Sequence, residues 1–160
     1  MAIREIRKKG DPILSKVCKP VVNFDEKLHI LLDDMLETLR LHEGVGLAGP
    51  QIGILKRIFI IDYDDFYLEA INPEIVSTSG EETVREGCLS VPNEWYDLAR
   101  PAKVTLKAFD RNGKEFEITG EGIIARAFCH ENDHLNGVLF IDNLTEEEKR
   151  QQIEEQEYEE

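Results

Sequence analysis

The stretch His130-Glu131-Asn132-Asp133-His134 constrains this chain more than any other, because its spacing calls for a helix with one face turned to a metal. Positions i and i+4 of an α-helix are neighbours, with about 5–6 Å between Cβ atoms, so two imidazoles there can hold one ion. Glu131, beside the first histidine, stands where a general base must be to act on a water at that ion. Cys129 leads into the stretch, and Leu135-Asn136-Gly137 leads out, with Gly137 as the helix stop. Two ligands ask for a third. No histidine follows His134, but Cys88 lies in Glu86-Gly87-Cys88-Leu89-Ser90-Val91-Pro92. A thiolate with two imidazoles suits tetrahedral Zn²⁺ or Fe²⁺, the fourth position being left to water.

The rest of the chain reads as an α+β frame for that site. Leu28, Leu31, Leu32, Met35, Leu36 and Leu39 repeat at helical spacing, opened by Asn23 or Asp25 and stopped by Gly44. This predicts an N-terminal amphipathic core helix, on which His29 and His42 are surface or satisfied side chains. Ile58 to Ile61 predicts a buried strand, and Tyr67 to Ile71 a second, ended by Asn72-Pro73. Val104, Leu106 and Ala108 alternate with Thr105, Lys107 and Phe109, and Arg111-Asn112-Gly113 turns the chain into a partner strand carrying Phe116 and Ile118. Without regular β-α alternation the sheet is largely antiparallel. The segment from Gly10-Asp11-Pro12 to Pro20 is irregular, with Cys18 a small buried hydrophobe.

With 160 residues and 41% hydrophobic content, the chain can bury a core as one domain without staples. Three cysteines, an odd number, and no apolar leader near Met1 argue against a disulfide framework and for a reducing cytoplasm. No run is long and apolar enough for a membrane span. A net charge of −14 argues against DNA as a partner, since phosphate binding is driven by cations. The glycine-rich stretch Gly44-Val45-Gly46-Leu47-Ala48-Gly49-Pro50-Gln51 follows a helix, whereas phosphate cradles precede one, so nucleotide loops fail on order and content. It lines a substrate or is a plain connector; Gln51 places an uncharged amide donor at its end.

These three stretches, Gly44 to Gln51, Glu86 to Ser90 and His130 to His134, resemble the ordered motifs of peptide deformylases, and the likeness spans most of the chain. The resemblance implies antiparallel sheets packed around a central helix carrying the metal motif, with a short C-terminal helix. It implies a single catalytic domain over residues 1–150, acting on N-formylmethionyl nascent peptides and releasing formate. By that likeness Cys88, His130 and His134 bind one divalent ion, Fe²⁺ natively with Zn²⁺ or Ni²⁺ as substitutes. Glu131 is acid and base, and Gln51 with the Leu89 N–H stabilises the oxyanion. Val45, Leu89, Ala127 and Phe128 are expected to form the methionine slot, Gly44 and Gly46 to present backbone to the peptide, and Glu86 to pair with Arg100 behind Cys88. The rival expectations are a zinc peptidase of the H-E-x-x-H kind, or a non-catalytic metal-binding relative that recognises peptide N-termini.

Three positions depart from the family's pattern: Gly49 stands for the usual Ala, Cys129 for Gln, and Asn132 for an apolar residue. Gly49 is expected to loosen the loop that places Gln51. Cys129 reads as an inert buried thiol, a competing ligand or an oxidation site. Thr145-Glu146-Glu147-Glu148 spells a capping box. Beyond it, residues 151–160 read as an acidic, frayed tail. From Thr145 onward eight glutamates face only Lys149 and Arg150, the wrong sign for rRNA. A transient ribosome contact, weak and insensitive to salt, and a monomeric state are expected.

Overall fold

The computed structural model describes residues 2–159. α1 spans Glu26–Leu41, and its N-cap is Asp25, whose carboxylate accepts a hydrogen bond from the Leu28 N–H at 3.1 Å. That bond satisfies one of the orphan donors of the first turn. Leu28, Leu31, Leu32, Met35 and Leu39 are all buried along one stripe, which needs a surface to pack on.

A sheet supplies it. The strands in chain order are β1 (Gly46–Ala48), β2 (Ile58–Tyr63), β3 (Phe66–Ser79), β4 (Glu82–Cys88), β5 (Val91–Arg100), β6 (Lys103–Phe109) and β7 (Glu115–Glu121), followed by α2 (Ile123–Leu135) and α3 (Glu146–Glu159). β1, β2, β3, β6 and β7 lie in that order as one antiparallel sheet, and β4 pairs with β5 alone. Ile58 and Ile60 join the α1 leucines in one core, while Phe59 and Ile61 join Ala125, Phe128 and Leu135 of α2 in another. The strand is therefore covered on both faces, which is why the run from Ile58 to Ile61 shows no polar alternation. The expected frame, antiparallel sheet around a central motif-bearing helix, is what forms.

Two boundaries differ from those read in the sequence. Asn72-Pro73 does not end β3; the strand runs on to Ser79 through a register shift between Ile71 and Glu74. A proline without an N–H is tolerated at such a bulge. Asn72 adopts φ 51° there and exchanges two side-chain hydrogen bonds with the Val21 backbone, at 2.8 and 2.9 Å. The second difference is the β4–β5 hairpin, which sequence patterning missed. Only Val84 among Glu82 to Glu86 is apolar, and it is exposed, so β4 shows no buried face of its own. The hairpin is fastened through β5, where Val91, Tyr96 and Leu98 pack with Leu14, Phe140 and Ile141 in a third core.

The final helix starts at the expected capping box and takes in the acidic residues beyond Arg150. Thr145 N–H donates to Glu148 Oε1 and Glu148 N–H to Thr145 Oγ1, both at 3.0 Å, closing the capping box that starts α3. The helix continues through Glu159, and two glutamine side chains fix it to β5. No helix among the described residues is long and apolar enough to cross a membrane.

Candidate active site

α2 carries Ile123, Ala127, His130, Glu131 and His134 on one face, because helical periodicity returns to a face every three to four residues. The face turns toward the end of β4, where Cys88 closes the hairpin. One candidate ligand atom from each of Cys88, His130 and His134 lies within 4.8 Å of the others, and Cys88 Sγ is 3.4 Å from His134 Nε2. Both histidines are buried, and burial holds His134 well below its ordinary pKa, the neutral form a ligand needs.

A buried carboxylate orients the first imidazole. Glu86 Oε2 accepts from His130 Nδ1 at 2.6 Å, which leaves Nε2 as the nitrogen that could serve as a ligand. Arg100 donates twice to the same carboxylate, from Nε at 2.9 Å and from Nη2 at 2.8 Å, and reaches Asp133 with Nη1 at 3.0 Å. Arg126, which sequence reasoning passed over, adds a fourth bond to Oε1 at 2.8 Å and ties its other nitrogen to the Glu82 carbonyl. Burial pushes the Glu86 carboxyl up, but His130 and the Arg100 guanidinium more than offset this and hold it well below the usual range. A thiol, two buried imidazoles and one oriented tautomer are a donor set that fits a tetrahedral divalent ion with one position open.

Glu131 stands over the ligand set with Oε2 3.9 Å from His130 Nε2, and its Oε1 is buried without a partner. Burial raises its carboxyl to about 7. Gly46 makes room for it: a Cβ there would lie 2.7 Å from Oε2. Gln51 is anchored by its oxygen, which accepts from the Ala48 N–H at 2.9 Å, so its amide nitrogen is turned to Ser90 Oγ at 3.1 Å and Cys88 Sγ at 3.7 Å. Gly49 lets this loop pack closely. A Cβ at that position would meet the Ile54 and Lys56 carbonyl oxygens at 2.7 and 2.9 Å, so only glycine lets the following turn close.

A cleft of about 590 Å³ gathers Gly44, Val45, Gly46, Leu89 and Ala127 above Cys88, His130 and Glu131. Phe128 is not among them. One residue further around α2 than Ala127, it points the other way, fully buried between helix and sheet. Cys129 also faces away, into a separate cleft with Leu98 and Asp133, and burial raises its pKa; it lies outside the ligand set. His29 is satisfied by the Arg111 carbonyl at 2.8 Å, and His42 is exposed at the rim of the cleft. Ile123 and Trp95 line the mouth, also unforeseen. Ile123 was within reach of sequence reasoning, four residues before Ala127 on the face already identified.

A cysteine and two histidines with their ligand atoms close together, a buried carboxyl beside them and an amide donor next to the thiol are the equipment of a metal-dependent hydrolase. The sequence model of the Polypeptide deformylase family matches residues 3–150, and the chain belongs to that family. It is 53% identical over 155 residues to the peptide deformylase of Thermoanaerobacter pseudethanolicus, covering 94% of this chain and 98% of that one. The crystal structure of a peptide deformylase from Legionella pneumophila superposes with a TM-score of 0.89 at 45% identity, covering 98% of this chain and 96% of that chain. A peptide deformylase from Synechococcus elongatus in complex with actinonin gives 0.89 at 36% identity, covering 95% and 85%.

Proposed function

We propose that this chain removes the formyl group from N-formylmethionine at the start of newly made polypeptides, with Cys88, His130 and His134 as metal ligands, Glu131 as acid and base, and Gln51 with the Leu89 N–H as oxyanion donors. The observation that carries the reading is the convergence of the three ligand atoms, the Glu131 carboxyl and the Gln51 amide in one cleft. A divalent ion held by Cys88, His130 and His134 would supply Lewis acidity, making a water beside it a stronger acid near neutral pH. Glu131 takes the proton of the attacking water. As the water oxygen adds to the formyl carbon, charge grows on the formyl oxygen, and the Gln51 and Leu89 donors receive it, an arrangement that lowers such barriers by about 3 kcal/mol per donor. Glu131 then returns its proton to the leaving nitrogen, the C–N bond breaks, and formate and a free amine result.

Fe²⁺ is the native ion in this reading, with Zn²⁺ and Ni²⁺ able to take its place. Val45, Leu89 and Ala127 form the methionine slot, Gly44 and Gly46 offer backbone to the peptide, and Glu86 with Arg100 steadies His130. Residues 1–150 form one catalytic domain, working as a cytoplasmic monomer. Contact with the ribosome is transient and weak, because α3 presents carboxylates. The test is anaerobic formate release from a formyl-Met peptide by protein loaded with Fe²⁺ or Ni²⁺, beside Glu131→Ala. Rapid release by the parent and a loss of about a thousandfold or more in the variant is expected; metal-replete protein that releases no formate overturns the reading.

A further inference from the structure

Cys88 and the two histidines reach the site from elements that share no apolar core. The β4–β5 hairpin is fastened through Val91, Tyr96 and Leu98 to Leu14, Phe140 and Ile141, and no apolar side chain of α2 belongs to that cluster. α2 is packed on the sheet instead, through Ala125, Phe128 and Leu135. Among the described residues, the hydrogen bonds that join hairpin to helix, other than the contact of Cys88 itself, all run through the side chains of Glu86, Arg100 and Arg126. The distance from the thiol to the imidazoles is therefore set by a few polar ties rather than by apolar packing.

Arg126 is the tie that is free of any other duty. Buried at 8% exposure, it donates from Nη1 to Glu86 Oε1 and from Nη2 to the Glu82 carbonyl, both at 2.8 Å. It thus grips β4 at two places on the strand that ends in Cys88. His130, one helical turn further along α2, grips the same carboxylate at Oε2, whereas Arg100 holds it from within the hairpin. We propose that Arg126 is a latch that keeps the Cys88 strand on the histidine helix, and that it governs how slowly a bound divalent ion leaves. It is a positioning residue, acting through Glu86 and the Glu82 backbone. The inference rests on the ligand set of the deformylase reading and adds to it control over metal retention. Loss of the latch leaves Glu86 with both bonds from Arg100, so no buried charge is stranded and the fold survives the change.

Metal release tests this without relying on turnover. Zinc-loaded parent, Arg126→Met, Arg126→Lys and Gln152→Ala proteins are each mixed with an excess of a chromogenic chelator, and the appearance of the zinc complex is timed. Arg126→Met keeps an apolar stem of similar length and loses both bonds to β4; its zinc is expected to leave about tenfold faster or more, the usual cost of removing a group that orients a metal ligand. Arg126→Lys keeps the charge and one donor and gives an intermediate rate. Gln152→Ala removes the α3 side chain that brackets Asp97 of β5, loosening the hairpin on its far side, and stays within about twofold of the parent. Release from Arg126→Met at the parent's rate overturns the proposal. Release from Gln152→Ala as fast as from Arg126→Met overturns it too, because the effect is then a general loosening of the hairpin. A parent that holds no zinc overturns the ligand set and the latch with it. A metal-replete parent that releases no formate overturns the reaction alone, and the zinc release rates still decide the latch.

Discussion

Glu86 accepts four hydrogen bonds, from His130, Arg126 and twice from Arg100, which fills the lone-pair positions of its two oxygens. A carboxylate so engaged has one orientation, and it passes that orientation to His130. Arg126 also joins β4 to α2 through the Glu82 carbonyl, so the thiol and the imidazoles share a mechanical frame. Glu131 is the contrasting case, a buried carboxyl with an oxygen left unpartnered and its pKa raised by burial to about 7. Between its unfolded value, about 4.3, and that folded value it binds more protons folded than unfolded. Its contribution is present below about pH 4.3 and is lost as pH rises toward 7. Metal-free Glu131→Gln should therefore gain on the parent by on the order of 3 kcal/mol at pH 8 and by almost nothing at pH 4, read from urea unfolding; an equal difference at both values would contradict this. Glu131 and Cys88 could be singled out in the sequence because such chemistry calls for a base and a third ligand, and the structure brings both beside His130. Arg126 was not, since an arginine inside an apolar helix run reads as solvent-facing until its partner, 40 residues away, is known.

Among the elements, β3 and α3 show how side-chain amides override local propensity. Proline should have ended β3, but Asn72 absorbs the break with a positive φ and bonds to Val21. Asn72→Ala loses both bonds and leaves a Cβ-bearing residue without them in the left-handed region, at a cost of about 2–3 kcal/mol. Asn72→Gly should recover part of that cost, because glycine accepts the angle. Urea midpoints with an unchanged slope measure both, and equal midpoints for the two variants would refute the strain component. α3 has almost no apolar stripe, which is why its far end looked frayed; it is held by Gln152 and Gln156, whose targets are main-chain groups invisible to patterning. The α1 stripe and the β6–β7 hairpin were legible for the opposite reason: burial alone specifies them. β4 had no such signal, its pairing with β5 being set by the core beneath β5.

Taken whole, the molecule divides its work between a sheet buried between two helices and a small hairpin docked beside them. The order of the three motifs along the chain carried the family, supported by the Gly10-Asp11-Pro12 opening and the leucine helix. Cys88 belongs to the hairpin and the histidines to the central helix, and Cys88 and His134 are 46 residues apart. An ion shared between them binds the native chain only, and at a thousand times its dissociation constant it adds about 4 kcal/mol to stability. Stripping it with a chelator should lower the melting temperature of the parent and of Glu131→Ala alike, while Cys88→Ser should show little chelator-dependent drop. A Cys88→Ser protein with the parent's full response to chelator would sink this. With an ion in place, the proposed ligands would also act as a clasp across the 46 residues between Cys88 and His134. A chain deprived of such an ion would be not merely idle but more often open to proteases, which would tie its amount in a cell to the metal supply.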